Sequence, residues 1–61
     1  MARDVPASIG PVVFGRLGVW ITVRCPREHF GLMVAADGLW DPGARHWLIE
    51  PRRIGSVIRH L

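Results

Sequence analysis

From Val19 to Cys25 apolar and polar residues alternate with a period of two: Val19, Ile21, Val23 and Cys25 fall on one side, Trp20, Thr22 and Arg24 on the other. Successive side chains of a strand point to opposite faces, so this segment predicts a half-buried β-strand. The β-rich run Val12-Val13-Phe14 precedes it, and Gly15-Arg16-Leu17-Gly18 between them is a turn bracketed by residues that accept positive φ. The two segments predict a hairpin. After Pro26 the period changes. Phe30, Met33 and Val34 stand at i, i+3 and i+4, which predicts a short amphipathic helix over Arg27–Ala36, with Pro26 at its start, Glu28 in its first turn and Gly38 as its C-cap. Leu39-Trp40, the turn Asp41-Pro42-Gly43-Ala44 and His46–Glu50 predict a second hairpin. Pro51 opens a last helix, whose apolar stripe is Ile54, Val57, Ile58 and Leu61.

These elements run β-β-α-β-β-α and predict an α+β fold: an antiparallel sheet of three or four strands with both helices on one face. Residues 1–11 hold two prolines, a serine and a glycine with little periodicity, and read as a loose N-terminal arm. Residues 12–61 are then the single domain. A chain of 61 residues buries only about 60% of its unfolded surface, so its core is thin. One cysteine, Cys25, permits no intramolecular disulfide and suits a reducing cytosol. No run reaches the roughly 20 apolar residues of a membrane span. Met1–Pro6 carry an acid and a proline and lack the apolar stretch of a signal peptide.

Charge narrows the function. Eight arginines, no lysine and five acids give a net charge of +3, which fits an anionic partner. Arg16 and Arg24 belong to the first hairpin, Arg45 follows the second turn, and Arg52, Arg53 and Arg59 project from the last helix off its apolar stripe. Arginine contacts phosphate through two parallel N–H bonds, so these six are the candidate nucleic-acid contacts. The alternative is a solvated face paired to Glu28, Glu50 and Asp41. Trp20 is expected exposed on the open side of the sheet beside Arg24, where it can stack on a base or meet a protein. Trp40 and Trp47 are expected to meet across the second hairpin, as core rather than as a stacking platform.

Catalysis and metal binding find little support. His29, His46 and His60 are too scattered for a ligand set, so neither metal nor cofactor is expected. Cys25 and His29 are four residues apart, but Cys25 points to the apolar strand face and reads as a structural thiol. There is no phosphate loop, nucleophile elbow or paired-carboxylate spacing. A non-catalytic binding domain is the expectation.

The stretch from Val19 to Leu61 resembles the HARP domain, the small DNA-binding module of the annealing helicases. Trp40, Asp41, Pro42, Arg45 and Trp47 match that family's hairpin, in which an aromatic residue, Asp-Pro, a basic residue and Trp recur at this spacing between two helices. These 61 residues hold no helicase motor, and the helix after Cys25 is shorter than that family's and carries Gly31. The resemblance implies binding to DNA, single-stranded or at a junction. The rival expectation is a protein–protein module, such as a small phage or mobile-element inhibitor or adaptor, or a self-associating oligomerisation domain.

Overall fold

The computed structural model describes residues 5–61. Five strands form one antiparallel sheet in the order β1-β2-β3-β5-β4. They are β1 (Ser8–Ile9), β2 (Val12–Leu17), β3 (Trp20–Arg24), β4 (Leu39–Asp41) and β5 (His46–Ile49). Helix α1 (Phe30–Ala35), entered through a 3-10 turn at Arg27–His29, joins β3 to β4, and α2 (Pro51–Arg59) follows β5. The fold is α+β as expected, but the order is β-β-β-α-β-β-α. Residues 8–9 of the expected loose arm form β1, and Phe14 N–H donates to the Ala7 carbonyl at 2.9 Å beside it. Residues 1–4 of that arm lie outside the described residues.

The extra strand has a local cause. Ile9 pairs with Val12 across Gly10-Pro11, and Leu17 pairs with Trp20 across Gly18-Val19. Gly10 (φ 56°) and Gly18 (φ 61°) each take the first central position of a two-residue loop. That is the position where a hairpin loop needs positive φ, which glycine adopts without strain. The first hairpin is therefore longer than its composition suggests, and Gly15-Arg16 is strand rather than turn. Val19 moves into the loop and is 75% exposed, so it leaves the apolar face to Ile21 and Val23.

One core holds the domain together. Val12, Phe14, Ile21, Val23, Trp47 and Ile49 contribute the inner sheet face, and Met33, Ala36, Ile54 and Val57 cover it from the helical side. Both helices thus bury their apolar sides in the same cluster. In α1, Met33 is buried and Phe30 half-buried as their spacing predicts, but Val34 is 61% exposed and Ala36 takes its place. At the helix end Asp37 (φ 58°), not Gly38, is the left-handed residue. Asp37 N–H donates to the Val34 carbonyl and Gly38 N–H to the Met33 carbonyl, the paired bonds of a Schellman cap. Gly38 is needed for space: a Cβ there would lie 2.7 Å from Ile49 Cδ1 and 2.8 Å from the Met33 carbonyl oxygen. Trp40 and Trp47 pair directly, and Phe30 closes on both, with the three ring centroids 5.3–5.4 Å apart.

Candidate nucleic-acid interface

The outer face of the sheet carries no helix. Register sets its rows: Val13 beside Arg24; Gly15, Thr22, Leu48 and Leu39 in line; and Leu17 beside Trp20. Trp20 is half-buried rather than exposed, because Leu17 and the start of α2 stand next to it. The most exposed tryptophan is Trp40, at 42%. Beside Trp20 runs a shallow groove of about 330 Å³ lined by Val19, Trp20, Glu50, Pro51 and Arg52. The pairing of Ile21 with Ile49 brings these segments together, since it lays the start of β3 against the β5–α2 junction. A second depression of about 410 Å³ shares Pro51 and Arg52 and continues along α2 past Gly55 and Ser56 to Arg59. The two form one track from the sheet onto the helix.

The candidate arginines separate into groups. Arg52 and Arg59 line the track with Trp20 at its head. Arg53 is tied up: its Nη2 lies 3.1 Å from Asp37 Oδ2 and its Nε 3.3 Å from Glu50 Oε2, which pins α2 to the end of α1. Arg52 Nε shares that same carboxylate oxygen at 3.3 Å. Arg24 and Arg45 lie at the opposite end of the sheet, by the β4–β5 loop, where Arg24 Nη2 donates to the Ala44 carbonyl at 3.3 Å. That loop is closed by Asp41 Oδ1, which accepts from Gly43 and Ala44 N–H, and by Arg45 in the left-handed region (φ 59°). Arg16 stands apart, over a hollow of about 240 Å³ beside Val5 and Phe14.

No family model, curated protein or solved structure matches this chain.

Glu50, Pro51 and Ser56 belong to the track although their sequence pattern points only to a strand end, a helix start and a solvated face. The one signal for them is adjacency to Arg52, and it has no meaning until β5 pairs with β3. Cys25 packs against the core, and burial pushes its thiol up from 9.0, away from the depressed value a nucleophilic thiol uses. Among the described residues no three of His, Cys, Asp and Glu come together in a metal-holding group, and no helix is long and apolar enough to cross a membrane.

Proposed function

We propose that the domain is a non-catalytic nucleic-acid-binding module that holds an unpaired strand, as single-stranded DNA or at a junction. The observation that carries this reading is the track in which Trp20 and Arg52 share one groove and Arg59 lines its continuation. An aromatic ring beside guanidinium groups is the pairing that single-strand binders use: the ring stacks on a base of any kind, and the cations follow the phosphates. Arg52 and Arg59 are about 10 Å apart along the helix axis, so they reach different phosphates of one strand. The HARP-like hairpin supports the same reading, and the single thiol of Cys25 supports a cytosolic setting.

A salt series with labelled single-stranded and duplex oligonucleotides tests it. Two phosphate contacts predict a log–log slope of about −1.4 for single strands. Trp20→Ala weakens single-strand binding by ~1–3 kcal/mol without changing the slope, because stacking releases no counterion. Arg59→Ala flattens the slope by about 0.7. Binding that ignores both changes refutes the reading. The second reading, a protein partner or self-association, draws on Val13, Leu17 and Leu39, which are exposed on the uncovered sheet face. Light scattering at rising concentration tests its self-association branch.

A further inference from the structure

Glu50 lines the groove beside Trp20, and its carboxylate is a group that neither stacking nor phosphate binding uses. Glu50 is the N-cap residue of α2, yet its side chain makes no capping bond. One oxygen, Oε2, accepts from Nε of both Arg52 and Arg53 at 3.3 Å. The other, Oε1, has no hydrogen-bond partner among the described residues. The side chain is 39% exposed and the groove beside it is lined by Trp20 and Pro51. At about 330 Å³ the groove is near the lower end of small-ligand sites, a size for one planar base and not for a run of them.

Resting on the nucleic-acid reading above, we propose that this groove is a single-base slot that selects bases carrying an exocyclic amino group, with Glu50 as the specificity-determining residue. A base lying against Trp20 turns its edge toward Glu50. The free carboxylate oxygen accepts a hydrogen bond and cannot donate one. Cytosine offers N4–H to such an acceptor, whereas uracil and thymine present a carbonyl oxygen at the same position, lone pair against lone pair. The two guanidinium groups on Oε2 offset the carboxylate charge, so the acceptor sits in the phosphate track without repelling the backbone. Arg52 then has two tasks, orienting Glu50 and meeting the adjoining phosphate.

The experiment compares fluorescein-labelled oligo(dC) and oligo(dU) decamers by anisotropy at pH 7.5. These pyrimidines share backbone and ring skeleton and differ at position 4 and at the adjacent N3, which is bare in dC and carries a hydrogen in dU, so the comparison tests the placement of position 4, not N3, against Glu50. A hydrogen bond to a charged acceptor predicts that dC binds about tenfold more tightly than dU. Glu50→Ala brings that ratio to about one, because the variant has no carboxylate acceptor to tell dC from dU. Circular dichroism checks that the variant remains folded. Equal affinities for dC and dU in the unaltered protein overturn the slot, and so does a preference that survives Glu50→Ala. If both oligomers bind equally but lose affinity in Trp20→Ala, the nucleic-acid reading stands and the base selection falls. If neither binds, both fall together.

Discussion

The two faces of the sheet are built from the same strands and differ in nearly every physical respect. The inner face presents Val12, Phe14, Ile21, Val23, Trp47 and Ile49 to the helices, and all are buried. The outer face presents Val13, Leu17, Trp20, Thr22, Arg24, Leu39 and Leu48, none of them fully buried. Alternation along each strand allocates the residues, but the helices alone make one face a core. With both helices on the inner side, the outer side is free to keep an aromatic residue beside cations. The tryptophans show the contrast: Trp47 is 7% exposed at the centre of the aromatic cluster, and Trp20 stands half-buried at the head of the arginine track.

That contrast breaks most sharply by truncation. Trp47→Ala removes a ring held by Phe30 and Trp40 and is expected to cost ~3–5 kcal/mol, enough to unfold so small a domain at room temperature. Trp20→Ala is expected to cost about 1 kcal/mol at most and to leave the fold intact. Circular dichroism without denaturant shows whether Trp47→Ala folds at all, and a urea melt against the unaltered protein gives the cost of Trp20→Ala. Equal losses would mean that the outer face is a second core.

Two glycines probe the same difference at smaller scale. Gly38→Ala forces a methyl against Ile49 and the Met33 carbonyl on the packed side and is expected to cost ~1–3 kcal/mol. Gly15→Ala meets only Thr22 Oγ1, at 2.7 Å on the open side, where a side-chain rotation makes room. Its expected cost is under about 1 kcal/mol, and thermal melts rank the pair. On the exposed side of α1, Gly31 has open space around its Cβ position, so Gly31→Ala is expected to stabilise by about 0.5–1 kcal/mol through backbone entropy.

The smallest effect is on titration. Burial raises the folded-state pKa of Cys25 above its unfolded value. The fold therefore keeps the proton when the unfolded chain has lost it. The associated stability is complete below the unfolded pKa, near 9.0, and is lost as pH rises through the folded value. Cys25→Ser should flatten the alkaline end of a stability-versus-pH curve. Alkylation of Cys25 at neutral pH should be slower than that of a free thiol.

The elements legible before any tertiary information were those with strong local signals. The alternation of β3, the stripe of α2 and the proline at its start all stand where their periods place them. β1 is not legible because two residues carry no period, although Gly10-Pro11 between Ile9 and Val12 is a hairpin signal. Val34 is exposed against its spacing because Phe30 belongs to the first turn after a 3-10 segment, and this phase shift rotates the buried stripe toward Ala36. Of the candidate contacts, local pattern sent Arg52, Arg53 and Arg59 away from the apolar stripe of α2. It could not distinguish Arg53, whose partner Asp37 is remote in sequence, from Arg52 and Arg59 on the track.

By itself the sequence determined the alternation at the centre of β3, the second hairpin and the apolar stripe of α2, that the chain is basic through arginine, and that its apolar residues suffice for one thin core. These are properties of spacing and composition, which act over a few residues. The tertiary structure alone decided that β5 inserts between β3 and β4, since both outer strands run antiparallel to it and the crossover passes through α1. That insertion brings Glu50, Pro51 and Arg52 to Trp20, some thirty residues away, and so makes the groove. The reason is physical: strand order is set by how the helices close a single core, a global condition that no local period contains.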